Sequence, residues 1–217
     1  MSNIIEIDGK KYELTLTEIK ENTRKVIPKK SAKIVLEVGH GGSEFGAVDP
    51  RTGTNEHKLN LIACESAKSF LNGLGYENVI VSDMRGRLFN IGYELSRDAE
   101  IFVSVHHNAF NSKAQYTLSL VSPKGNSEDT RLADIFAVKA DEFLGFPKAK
   151  TRVMGLSILS GALYERPSQL RAAFLAEGYF LDGPLDTRGG YVWPNLESAS
   201  HKYGEALAFS IDEFLGA

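Results

Sequence analysis

Apolar and polar positions change their period several times along this chain. Near the N-terminus Ile5 and Ile7, then Tyr12, Leu14 and Leu16, alternate with polar residues on either side of Asp8-Gly9. A period of two predicts half-buried strands, and Asp-Gly favours a type I′ turn because both positions tolerate positive φ. A small hairpin is expected, with Ile7 opposite Lys10 and Ile5 opposite Tyr12, so that the apolar side chains share one face of the ribbon. Next come Lys20, Arg24, Lys25, Lys29 and Lys30 against Glu21, with Pro28 near the end. This stretch reads as a basic connector, and short charge runs are most often solvated. Residues 1–31 are therefore expected to form a small N-terminal appendage, a hairpin plus a basic connector.

Beyond it, short apolar runs alternate with helical spacing. Ile34–Val38 suits a buried parallel strand that ends at the glycines around His40. Leu59, Ile62, Ala63, Ala67, Phe70, Leu71 and Leu74 follow the 3.6-residue repeat, with Glu56 at the head of the helix and Gly73 and Gly75 as its stop. Residues 79–81 read as a strand, 87–96 as a helix, and 101–105 as a strand that delivers His106 to a loop. Residues 116–121 add a strand, and Leu132, Ile135, Phe136, Ala140 and Phe143 mark another helix. Residues 154–166 read as a flexible rim, 172–176 as a buried strand, and 199–215 as a terminal amphipathic helix. The alternation predicts the α/β class: a single twisted, mixed or mostly parallel sheet with helices on both faces. In such sheets functional groups gather at the carboxyl ends of the strands.

Composition narrows the chemistry. At 217 residues and 42% hydrophobic content the chain can bury one substantial core. A net charge of −3 and a pI near 6.0 give no global field for nucleic acid, which is not expected as a partner. One cysteine, Cys64, makes neither an internal disulfide nor a multi-thiolate metal site. No apolar run of about 20 residues predicts a transmembrane segment, and the polar start MSNIIEIDGKKYEL lacks the apolar stretch of a secretory peptide. Synthesis in the cytoplasm without a signal peptide is the expectation, so a substrate outside the membrane requires holin-type release or lysis.

His40, Glu56 and His106 each sit where a predicted strand gives way to a loop or helix. Two neutral imidazoles and a carboxylate form a three-ligand set that leaves a fourth tetrahedral position open, as in catalytic zinc sites. Each also has a plainer reading: a turn histidine packed by its glycines, or an acid that complements a helix dipole. Glu177 lies in the apolar run AAFLAEG, where an unpaired carboxylate would be costly to bury. His57 and His107 neighbour the candidate ligands, but adjacent side chains usually point in different directions, so neither is placed on the same ion. His201 is expected to be structural.

The succession VGHGGSEFGAVDPRTGTNEHKLNLIA, DAEIFVSVHHNAF and LRAAFLAEGYFLD resembles the zinc-dependent N-acetylmuramoyl-L-alanine amidases of bacterial autolysins and phage endolysins, over residues 33–215. The resemblance implies a catalytic domain over residues 32–217, one Zn2+ per chain held by His40, Glu56 and His106, and Glu177 as the catalytic carboxylate. It implies peptidoglycan as the substrate, cut between N-acetylmuramic acid and L-alanine of the stem peptide. His107, Asn108 and Arg166 are the candidate substrate-binding residues, with Asn108 alternatively fixing its loop. The basic connector is a candidate for weak contact with anionic wall polymers. After SVHHNA the chain reads FNSKAQYTLSLVSP rather than the glycine-rich approach common in similar enzymes, so the groove wall is expected to differ. The rival readings are a zinc carboxypeptidase or other peptidase acting on wall peptides, and a noncatalytic wall-binding module.

Overall fold

The computed structural model describes the backbone of residues 3–7 and 10–14, together with residues 30–147 and 151–216. Strands β1 (Asn3–Ile7) and β2 (Lys10–Leu14) pair antiparallel, with Ile5 opposite Tyr12 and Ile7 opposite Lys10, the expected register. The Asp8-Gly9 turn and nearly all of the basic connector lie outside the described residues.

Six strands form one open sheet: β3 (Ile34–Val38), β4 (Val79–Ser82), β5 (Ile101–Asn108), β6 (Leu118–Val121), β7 (Arg152–Val153) and β8 (Ala172–Phe180). Their spatial order is β4-β3-β5-β8-β6-β7. All neighbours are parallel except β6 and β8, so the sheet is mixed and mostly parallel. Helices α1 (Glu56–Gly73), α3 (Ser127–Leu144) and α5 (Leu196–Gly216) cover one face; α2 (Leu88–Ser96) and α4 (Ser157–Ala162) cover the other. No described helix is long and apolar enough to cross a membrane.

Strand alternation divides the core. Ile34, Leu36, Ile101, Val103, Ala172 and Phe174 point to the three-helix side, while Val35, Phe102, Ala173 and Leu175 point to the α2–α4 side. Local signals fix the helix ends that matter. Asn55 caps α1 by accepting from the Lys58 N–H at 2.9 Å, which sets Glu56 as its first residue. Asn126 and Asp129 make a capping box at the start of α3, and Gly145 at φ 71° ends that helix.

Three differences from the sequence expectations shape the site. First, β5 runs on through His106 to Asn108, because the ladder pairing persists beyond the apolar run, so His106 does not hang from a loop; β8 likewise continues past Ala176 to Phe180. Second, residues 154–166, expected as a flexible rim, contain α4, whose six residues are too few to show a helical period. Third, β7 has only two residues and left no strand signal.

Candidate metal centre

The site forms where β3, β5 and β8 end side by side. Val38 lies opposite Val105 in parallel register, so the next step places Gly39 beside His106. A Cβ on Gly39 would lie 2.4 Å from the His106 ring, so only glycine leaves the imidazole its place. The chain then turns sharply: His40 takes a left-handed backbone at φ 63°, a conformation that costs a non-glycine residue about 1–2 kcal/mol. This turn brings the His40 ring edge-on to His106, with centroids 4.9 Å apart.

Glu56 enters from the head of α1 and is nearly fully buried. Its Oε1 lies 3.0 Å from His106 Nδ1 and accepts from the His107 N–H at 3.1 Å; its Oε2 lies 3.1 Å from His40 Nε2 and accepts from the Ala47 N–H at 3.0 Å. Burial alone would raise the Glu56 pKa, but hydrogen bonds from His106 and His40 outweigh it and hold the carboxyl far below the usual range. For His106, burial opposes the charged form, and the Glu56, Glu177 and Glu37 carboxylates overcome it, so its pKa is raised. One ligand atom from each of His40, Glu56 and His106 lies within 4.8 Å of the others, a group that could hold a metal ion.

Glu177 stands directly opposite His106 across the β5–β8 ladder. Its Oε2 is buried with no hydrogen-bond partner among the described residues. Burial and the Glu56 charge raise its pKa to about 7, against the opposing pull of His106 and His40. His40, His106 and Glu177 border a cleft of about 330 Å³, with Glu56 buried behind the two rings; the cleft's other wall is largely apolar and includes Leu88, Leu120, Met154, Leu156 and Leu175. Leu120 comes from β6, and Met154 and Leu156 from the segment leading into α4. A second cavity of about 370 Å³ beside Asp49, Arg51 and Asn195 holds none of the candidate residues. The cleft that matters is therefore the smaller one, where the titratable groups converge.

The remaining candidates fall elsewhere. His107, expected to line the substrate cleft, is buried on the opposite face of the sheet: its Nδ1 meets Asn60 Oδ1 at 2.7 Å, its Nε2 meets Ser200 Oγ at 3.2 Å, and the Tyr179 and Tyr203 rings pack against it. Burial pushes its pKa down to about 3, so it stays neutral. Strand alternation is the reason, since His106 faces the cleft and its neighbour must face the core. Arg166 does not reach the cleft either. Its guanidinium forms a bidentate pair with buried Asp129 at 2.8 and 3.0 Å and donates to the Leu170 and Arg171 carbonyls. That places it at the start of β8, about 20 Å along the strand from Glu177. The Asn108 side chain, at the end of β5, accepts from the Ala109 N–H at 2.9 Å. His57 meets the Gly39 carbonyl at 3.2 Å, and His201 is exposed on α5.

The family model for N-acetylmuramoyl-L-alanine amidases matches residues 34–188, which span the sheet and every candidate ligand. The chain belongs to this family. Among curated relatives, the amidase AmiC of Neisseria meningitidis is 31% identical over 133 residues, 58% of this chain and 32% of that protein; the chain therefore spans about a third of that relative's length. Solved structures share the fold. An N-acetylmuramoyl-L-alanine amidase from Clostridium difficile 630 superposes with a TM-score of 0.69 at 19% identity, covering 86% of this chain and 98% of that one. AmiC2 of Nostoc punctiforme gives 0.66 at 18% identity over 88% and 100% of the two chains. The catalytic domain of the CD27L endolysin, described as targeting Clostridia difficile, gives 0.61 at 17% identity over 84% and 97%. Family membership and fold thus agree on the segment that carries the site.

Proposed function

We propose that this chain is a zinc-dependent peptidoglycan hydrolase that cleaves the amide between N-acetylmuramic acid and L-alanine of the stem peptide. The observation that carries the reading is the pairing, at one cleft, of a His40–Glu56–His106 donor set with a Glu177 carboxylate whose Oε2 is buried without a partner among the described residues. The donors suit zinc: two imidazoles and one carboxylate make the kind of three-ligand set that leaves a fourth position open in catalytic zinc sites. Zinc held there would supply Lewis-acid polarisation of the scissile carbonyl and would acidify an adjacent water.

The chain's own residues do the rest. Glu56 keeps its charge at every working pH, and its two oxygens hold the His40 and His106 rings in register. Glu177, ionised in part near neutrality, takes the proton from the attacking water and returns it to the departing amine nitrogen as the C–N bond breaks. No side chain need form a covalent intermediate. The aliphatic wall excludes water on the side away from the ligands and offers apolar surface to the methyl groups that flank a lactyl–alanine amide.

Residues 1–31 as an appendage, with its basic connector touching anionic wall polymers, belong to the same proposal. So does action on the wall after lysis or holin-type release, a reading supported by the likeness to an endolysin catalytic domain. The test is clearing of a purified wall suspension by the full chain, abolished by a chelator and restored by zinc. Clearing that survives complete metal removal would overturn the zinc assignment.

A further inference from the structure

His40 holds an unfavourable backbone conformation, and its neighbours show what opposes that strain. The carbonyl of the preceding residue, Gly39, accepts from Asn60 Nδ2 at 3.0 Å and meets His57 Nδ1 at 3.2 Å, both from α1. These two contacts anchor the end of β3, and on the far side of the turn the Gly41 N–H donates to the Glu44 carbonyl at 2.6 Å, which leaves the His40 carbonyl as the remaining polar group of the turn. The His40 carbonyl is held by Arg85, whose Nη1 donates to it at 2.8 Å. Arg85 is oriented in turn by Asp83, which pairs with both of its terminal nitrogens, and Asp83 lies 3.7 Å from His57 Nε2. The guanidinium lies so close over Gly41 that a Cβ there would sit 1.7 Å from Nη1. Gly41 itself has φ 127°, so the bare, left-handed turn is shaped to admit the arginine.

We propose that Arg85 is a positioning residue that clamps the strained His40 turn and so presents the His40 imidazole to Glu56 and His106, raising the affinity of the centre for zinc. The inference rests on the metal-binding reading above. Without the clamp, the His40 peptide relaxes toward ordinary negative φ, and its ring leaves the arrangement in which Nε2 stands 3.1 Å from Glu56 Oε2. No local pattern marks Arg85: it lies 45 residues from His40, in the loop after β4, and reaches the site because β4 is the edge neighbour of β3. Groups that orient metal ligands from outside typically change metal affinity by about tenfold to a hundredfold when removed.

The experiment measures zinc affinity by competition with a chromogenic chelator for the full chain and for Arg85→Ala, Arg85→Lys and Asp83→Asn. It also records the His40 carbon chemical shifts in the metal-free proteins, which report backbone conformation. Arg85→Ala should weaken zinc binding about tenfold or more and move the His40 shifts toward extended values. Arg85→Lys should fall between wild type and alanine, and Asp83→Asn, which leaves Arg85 in place but unoriented, should shift affinity in the same direction. Zinc affinity within twofold of wild type, with unmoved His40 shifts, overturns the clamp; so does a change confined to KM for substrate. If the wild type itself takes up no zinc, the metal reading fails, while the His40 shifts of the metal-free proteins still decide the clamp. If Arg85→Ala does not fold, the lysine and Asp83→Asn proteins carry the same comparison.

Discussion

Replacing Glu177 by glutamine should stabilise the metal-free protein at alkaline pH, although it removes the proposed catalytic base. Burial and the nearby Glu56 charge raise the Glu177 pKa from 4.5 to about 7. The folded state therefore holds this proton more tightly than the unfolded chain, so stability falls as pH rises from 4.5 to 7 and stays reduced above that window. At about 1.4 kcal/mol per tenfold change in acidity, the ionised carboxylate costs the fold roughly 3 kcal/mol. Glutamine fills nearly the same volume without a charge but must bury an amide, so a gain of about 1–3 kcal/mol at pH 8 is expected. For a chain of this size that is a Tm increase of roughly 2–10 °C by calorimetry. The gap between variant and wild type should shrink toward pH 4.5, where Glu177 is protonated in both states. It should also shrink with zinc, because a bound cation favours the carboxylate form. Equal Tm values at pH 8, or a gap that does not change on acidification, would refute the claim that Glu177 is held in a desolvated, unpartnered site.

Other substitutions separate the centre from its surroundings. Gly39→Ala forces a methyl against the His106 ring and should lower zinc affinity at least about tenfold while the circular dichroism spectrum stays native. His107→Ala removes a buried ring that meets Asn60 and Ser200, and should cost about 2–4 kcal/mol in urea unfolding. Arg166→Ala leaves the buried Asp129 carboxylate without its ion pair and should cost about 3 kcal/mol or more. Wall-clearing activity per folded molecule should be unchanged in that variant; a loss of turnover with full folding would return Arg166 to the substrate groove.

The sequence made the ligand set legible because His40, Glu56 and His106 sit at changes of period that a strand-to-loop or loop-to-helix boundary requires. Glu177 stood out as an acid inside an apolar run. His107 and Arg166 misled for different reasons. Adjacent histidines cannot be assigned to a face until the strand end is known, and β5 runs three residues past the point where its apolar pattern stops. Arg166 has a partner, Asp129, 37 residues away, and no local pattern announces that pair. The aliphatic wall was hidden too, because β7 and α4 are too short to show a period, yet they carry or flank Met154 and Leu156 into the cleft.

Mass spectrometry of purified peptidoglycan digested by the zinc-loaded chain, beside chelated protein and the Glu177→Gln variant, tests the central claim most directly. The account predicts new L-alanine amino termini and glycan strands of unchanged length, formed by the zinc-loaded wild type alone. New termini inside the stem peptide, or the same L-alanine ends from the chelated or Glu177→Gln samples, would contradict it.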